Sequence, residues 1–198
     1  MTHFIFVRHG QTDWNRENRF RGRADIPLNA TGLEQAQRAA DALRNTPIAA
    51  IYASPLGRTM QTAQSIAQPH GLAVIPRREL LDIDYGDWQG KLPSEIDPEQ
   101  YARWCEHPEV VKITNGENLP QVRSRVMNFV DSLSGQADDR AVVLVSHDLV
   151  GKILICGLMS APSNSIHRVQ QENACIDRFD AENGMYLVRT TNETKHLE

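Results

Sequence analysis

Two apolar runs that each stop at a histidine constrain this chain more than anything else in it. Phe4-Ile5-Phe6-Val7 leads straight into Arg8-His9-Gly10, and Ala141-Val142-Val143-Leu144-Val145 leads into Ser146-His147. Unbroken runs of β-branched and aromatic residues predict short strands buried on both faces. Strands covered on both faces belong to a helix-flanked, mostly parallel sheet. In such open α/β sheets ligands bind beyond the carboxyl ends of the strands, and both histidines fall there. An imidazole is neutral and nucleophilic near pH 7, because its ordinary pKa is ~6.5. Arg8 adds a planar fork of donors suited to phosphate, and Gly10, lacking a Cβ, lets the backbone approach a ligand closely.

With 198 residues the chain is long enough for one domain with a full core, and residues 1–198 are read as that single domain. Net charge is −4, so no global positive field recruits nucleic acid or an anionic membrane, and any anion site must be local. The apolar stretches are too short to span a bilayer. Met1-Thr2-His3 does not open a charged and then apolar leader, so no signal peptide is expected. Cys105, Cys156 and Cys175 are odd in number and far apart. They fit reduced thiols in a cytoplasmic protein better than a disulfide framework, and neither they nor the carboxylates show metal-ligand spacing.

Residues 13–30 are polar, hold Arg16, Arg19, Arg21 and Arg23, and read as a long functional loop over the strand end. Arg16 and Arg23 are expected to be solvated. Thr31 with Glu34 forms a candidate capping box for a helix carrying Leu33, Ala36, Ala40 and Leu43. Ile48–Ala53 predicts a second strand. Ser54-Pro55 then opens a helix to about Gln68, with Ser54 as cap and Pro55 at its first position. Arg58 falls in that helix's first turn, where a cation opposes the helix dipole and an anionic ligand explains it better than helix stability does. Leu72–Pro76 predicts a strand and Glu95–Cys105 a helix. Leu119, Val122, Val126, Phe129, Val130 and Leu133 form a core-facing helical stripe. Asp148 suits the N-cap of a helix over 149–158. Ala174–Phe179 and Met185–Thr190 predict edge strands joined by an Asn183-Gly184 turn.

Val7-Arg8-His9-Gly10-Gln11-Thr12 resembles the signature of the histidine phosphatase superfamily, the phosphoglycerate mutase-like proteins. The likeness continues through Asn15, Arg19-Phe20-Arg21-Gly22, Asp25-Ile26-Pro27-Leu28, Ser54-Pro55-Leu56-Gly57-Arg58 and Tyr85-Gly86-Asp87-Trp88-Gln89-Gly90 to Ser146-His147. It implies a three-layer α/β/α sandwich with a mostly parallel sheet. It also implies that His9 takes up a phosphoryl group, that Arg8, Arg58 and His147 hold it, and that Asn15 and the Arg21-Gly22 segment lie against it. Arg21 stands where the family has glutamine and adds positive charge near the site. By register from Gly86 and Trp88, the family's proton-donating glutamate becomes Asp82. Glu79 and Asp84 lie close by, and a salt-bridged loop carboxylate accounts equally well for each. Asp148 is a further rival, because a His-Asp pair supplies the proton in the superfamily's other branch. Residues 93–117 should cover the site, with Asn118 at the serine position of a Gly-Glu-Ser signature.

The implied reaction is metal-independent, cofactor-free hydrolysis of a small phosphomonoester through a phosphohistidine. Cationic side chains supply the charge stabilisation. Phosphoglycerate-type mutase activity and a catalytically silent binding module are the alternatives.

Overall fold

The computed structural model describes residues 1–135 and 139–198. Its frame is a six-stranded sheet in the order β3-β2-β4-β1-β5-β6, built from β1 (Thr2–Arg8), β2 (Ile48–Ala53), β3 (Val74–Pro76), β4 (Ala141–Ser146), β5 (Ile176–Glu182) and β6 (Met185–Glu193). The first four run parallel. β5 joins β1 antiparallel, and β6 folds back on β5. Central β1 and β4 are paired from Phe4↔Val142 to Arg8↔Ser146, so His9 and His147 leave the sheet side by side.

Alternation along these strands divides the core. Phe4, Phe6, Val142 and Leu144 face a layer containing α5 (Leu119–Leu133) and α6 (Asp148–Leu158). Ile5, Val7, Val143 and Val145 face the alanine-rich surfaces of α2 (Ala30–Leu43) and α3 (Gly57–Ala67). The result is the expected α/β/α sandwich with a mostly parallel sheet. All six residues of the α5 stripe are buried. Asn183 and Gly184 take φ of 51° and 75°, the left-handed pair that a tight hairpin requires.

Several local expectations are corrected. The 13–30 loop begins with one helical turn, α1 (Asp13–Arg16), closed by a reciprocal Thr12/Asn15 capping box. Asn29, not Thr31, caps α2, because its Oδ1 reaches the Gly32 N–H at 2.9 Å. Leu33 is consequently turned outward and is 50% exposed. α3 starts at Gly57, later than Ser54-Pro55 suggested. Asp25 Oδ1 accepts from Gly57 N at 2.6 Å from across the loop, so Ser54 is not needed as the cap. The helix expected over Glu95–Cys105 is split into a 3₁₀ turn (Pro93–Glu95) and α4 (Pro98–Glu106), with Pro98 first in the helix and Asp97 its cap. β3 is trimmed to Val74. β5 begins only at Ile176, because Ala174 adopts φ of 58°. Asp148 opens α6 as its first residue, and His147 occupies the cap position without a side-chain cap bond.

Candidate active site

Where β1 ends, the backbone is held from three sides. Gly10 N donates to Thr62 Oγ1 at 3.2 Å, and the His9 carbonyl accepts from Ala174 N and Asn173 Nδ2 at 3.2 and 3.3 Å. Gly10 is needed for packing, not for approach of a ligand as expected: a Cβ there would collide with the Gly32 carbonyl at the start of α2. These ties fix the buried His9 ring. Its Nδ1 lies 2.6 Å from the Gly10 carbonyl. A carbonyl only accepts, so Nδ1 carries the proton and Nε2 keeps its lone pair. Burial, then Arg58 and Arg8, hold the His9 pKa well below 6.5, and the ring is neutral at physiological pH.

His147 sits 5.3 Å away, centroid to centroid, at a 65° tilt. Its Nε2 is 2.9 Å from Ser54 Oγ, which also accepts a long 3.5 Å bond from Leu56 N just before α3. Its Nδ1 has no hydrogen-bond partner and lies 3.9 Å from Asp82 Oδ2. Burial, followed by Arg58, lowers its pKa well below 6.5 as well.

Arg58 is wholly buried. Its guanidinium donates to the carbonyls of Ala24 and Gly22 at 2.7 and 2.8 Å and stands 3.6 Å from Asp82. Burial brings its pKa down to about 10, and it remains a cation. Gly22 presents its carbonyl to Arg58 from φ of 49°, a left-handed backbone that glycine takes without strain. Arg8 donates to the Gln171 carbonyl and pairs with Asp148 at 3.5 Å. Around this point the buried nitrogens Arg8 Nε, Arg21 Nε, Arg58 Nε and His147 Nδ1 all lack a partner. Buried polar atoms are rarely left unsatisfied, and a cluster of cationic and imidazole nitrogens without partners is a cradle for an anion. Asn15 Oδ1 accepts from Thr12 N and Oγ1 at 2.9 and 2.8 Å, which leaves its amide N–H₂ for the cleft that it lines with Arg8 and Arg21.

The carboxylates separate by environment. Asp82 is buried, and its Oδ1 accepts from Ile83 N at 3.0 Å. Burial raises its pKa, against the opposing pull of Arg58. Asp84 pairs with Arg23 at 3.1 Å and accepts from Gly86 N at 2.9 Å, as a structural loop carboxylate does. Asp148 is half-buried between Arg8 and Lys152, 3.2 Å from the latter. Arg23, expected to be solvated, instead bridges Asp84 and Glu117.

Supporting residues went unread in the sequence. Arg125, on α5, donates to the Glu79 and Asp82 carbonyls at 2.7 and 3.2 Å and pairs with Glu117, fixing the segment that carries Asp82. The Gly116-Glu117 signature was the available clue. Asn118 caps α5 in a reciprocal box with Gln121. Gln171 is buried and donates through Nε2 to both oxygens of Asp177, whose pKa burial pushes up to about 6. No local pattern announced it. From residues 93–117, Pro93, Tyr101, Trp104 and Cys105 line a 240 Å³ cleft beside Arg21 and Asp148.

The Arg58 geometry leads to a measurable expectation. Arg58→Ala should lower kcat/KM by about 30- to 1,000-fold, the cost of one preorganised donor to developing charge. Arg58→Lys should recover only part, because a point charge does not replace a fork. Steady-state kinetics on folded protein decide this, and wild-type kcat/KM in Arg58→Ala would assign the arginine to structure alone. A lower melting temperature accompanies either change, since the Gly22 and Ala24 carbonyls lose their donor.

Comparison with known proteins places the chain among proteins of one kind. The family model described as the histidine phosphatase superfamily (branch 1) matches residues 4–194. Phosphoserine phosphatase 1 of Hydrogenobacter thermophilus is 32% identical over 200 residues, covering 100% of this chain and 95% of the relative. A probable phosphoglycerate mutase of Yersinia pestis, GpmB, is 29% identical over 100% of this chain and 96% of its own length. The solved structure of Bacillus stearothermophilus YhfR superposes with a TM-score of 0.93 at 27% identity, each chain fully covered.

Proposed function

The chain belongs to the histidine phosphatase superfamily, branch 1, and on that footing we propose that it is a phosphomonoesterase that works through a phosphohistidine on small phosphorylated metabolites, as one domain spanning residues 1–198. The observation that carries this reading is the His9 ring. With Nδ1 committed to Gly10, its Nε2 lone pair stands beside four unpartnered cationic or imidazole nitrogens.

The substrate's phosphoryl group is held by Arg8, Arg58 and His147 Nδ1, with Asn15 and the Arg21-Gly22 loop at its edge. His9 Nε2 attacks phosphorus and forms the N–P bond. The ester P–O bond breaks, and Asp82 gives its proton to the departing alkoxide. Water then attacks the phosphohistidine and loses a proton to Asp82. Inorganic phosphate leaves, and His9 is neutral again. Arg8 and Arg58 neutralise the equatorial oxygens throughout, in a buried setting where charge interacts strongly.

Among the described residues no helix is long and apolar enough to cross a membrane. A cytoplasmic location is supported by the free thiols of buried Cys156 and Cys175. The small-metabolite substrate, with neither nucleic acid nor membrane as partner, is supported by the net charge of −4. A mutase reading is favoured by the Yersinia relative's name alone. It requires that turnover of phosphoglycerate depend on a bisphosphate primer.

The test is hydrolysis of a phosphomonoester panel by purified protein, with and without primer. Release of inorganic phosphate without primer is expected, together with competitive inhibition by vanadate. EDTA should leave the rate intact. Loss of activity on chelation that a divalent ion restores would refute the metal-independent mechanism.

A further inference from the structure

Asp177 is wholly buried on β5, opposite Phe6 of β1, and the proposed reaction gives it no task. A carboxylate shut away from water is costly unless a cation or several donors compensate it. Among the described residues no ion pair does so here, and the charge that acts on it, Glu193, has the same sign. Burial pushes its pKa up to about 6, so at neutral pH its ionised form lowers stability.

What the carboxylate does is hold the 171–175 segment. Its two oxygens accept from Gln171 Nε2 at 2.9 and 2.8 Å, and Oδ1 also accepts from Asn192 N at 2.6 Å. Asn192 takes φ of 54° and turns its own Oδ1 to Glu172 N at 2.7 Å, so two neighbouring residues of the segment depend on one carboxylate. The Gln171 carboxamide is boxed in on its other side. Cys175 Sγ donates to its Oε1 at 3.4 Å, and a Cβ on Gly151 of α6 would fall 2.6 Å from that oxygen. Held in this way, Gln171 turns its backbone carbonyl to Arg8 and accepts from Nη1. Arg8 has one other anchor, Asp148 at 3.5 Å, which Lys152 shares at 3.2 Å. The Gln171 carbonyl is therefore the contact that belongs to Arg8 alone.

We propose that Asp177 is a positioning residue of the active site: acting through Gln171, it fixes the carbonyl that aims the Arg8 guanidinium at the phosphoryl group. This rests on the phosphatase reading above and adds to it a residue that works from behind the site. A guanidinium neutralises developing charge only in one orientation of its fork, and the buried carboxylate keeps that orientation at a cost in stability.

The test separates position from stability. Asp177→Leu removes the acceptor at similar size. It should lower kcat/KM on a phosphomonoester, and affinity for inorganic phosphate measured by calorimetry, by about 10- to 100-fold, as a displacement of about 1 Å at a reacting centre does. Asp177→Asn should stay within about 5-fold of the wild type: the Gln171 carboxamide turns over to accept from the new Nδ2, while Oδ1 still takes Asn192 N. Gln171→Met combined with Asp177→Leu replaces both partners by apolar groups. That double variant should regain the melting temperature lost in Asp177→Leu, yet its kcat/KM should stay down. In an Arg8→Ala background Asp177→Leu should cost less than about 3-fold more, because its route to the phosphoryl group is gone. Activity that returns with stability in the double variant would reduce Asp177 to a structural role and overturn the proposal. A full further loss in Arg8→Ala, or wild-type kcat/KM in Asp177→Leu, would overturn it too. Should Asp177→Leu fail to fold, the double variant decides alone. Phosphate affinity that falls in Asp177→Leu, in a protein that hydrolyses no phosphomonoester, would sink the phosphatase reading and leave the positioning role standing. Hydrolysis by the wild type with rate and phosphate affinity unchanged in Asp177→Leu would do the reverse.

Discussion

His9→Ala is expected to abolish turnover, by roughly 10⁴-fold or more, as loss of a covalent nucleophile does. Brief exposure of the wild-type protein to a labelled phosphomonoester, followed by denaturation, should trap label that is acid-labile and base-stable, the behaviour of a phosphoramidate. His9→Ala should trap none. The second histidine is the control. His147 has Nε2 beside Ser54 Oγ and an unpartnered Nδ1, which the proposed mechanism turns to the phosphoryl group. His147→Ala should therefore slow the reaction yet still accumulate label at residue 9. Label on residue 147 in His9→Ala, or turnover of that variant at the wild-type rate, would refute the assignment.

The second large effect concerns the proton. The leaving alkoxide needs it most when its alcohol is a weak acid. Asp82→Ala should cost about 10²- to 10⁴-fold on alkyl phosphates and far less on p-nitrophenyl phosphate, whose phenolate leaves unaided. Asp148→Ala should lower both rates to a similar and smaller degree, through release of Arg8 and Lys152. A leaving-group dependence confined to Asp148→Ala would transfer the role to that residue.

The pH profile carries the same information. His9 must be neutral, and its lowered pKa moves the acid limb below pH 6.5. Asp82 must be protonated, and its raised pKa moves the alkaline limb above 3.8. The two shifts run toward each other and enlarge the fraction of protein that meets both demands, and a bound phosphoryl dianion raises the Asp82 pKa further, so a bell-shaped profile is expected. The alkaline limb should be pronounced with alkyl phosphates and weak with p-nitrophenyl phosphate, whose leaving group needs no proton, and an equally strong limb with both would exclude Asp82 as its source.

What the sequence made legible is what physics writes locally. A buried strand needs an unbroken apolar run, so β1, β4 and the histidines at their ends could be read directly, as could the α5 stripe and the Asn183-Gly184 turn. Arg58 was conspicuous because a cation in the first turn of a helix wants an explanation. The boundaries that moved were those where several residues offer the same chemistry. Asn29 and Thr31 can both cap a helix, and only the position of the Gly32 N–H decides between them. Ser54 was misread for the opposite reason: its partner, His147, lies 93 residues away. Asp82 and Asp84 share a face in an extended strand. They part only because Arg23 and Gly86 claim one, while burial beside Arg58 isolates the other.

The strap formed by Gln171, Asn173, Ala174 and Cys175 holds Arg8 and His9 through the Gln171 carbonyl, the Asn173 side chain, Ala174 N and the Cys175 carbonyl. These ties join residues up to 167 positions apart, from Arg8 to Cys175. His9, the proposed nucleophile, is therefore translated early and secured late. Contacts of such sequence separation form late, after most of the loop-closure entropy has been lost. In the finished protein β6 closes one margin of the sheet, while β5 beneath it buries Ile176, Phe179 and Ala181 in the core. Loosening of the 171–175 strap alone would release His9 while the sheet stayed folded, so loss of activity on warming should precede loss of the core.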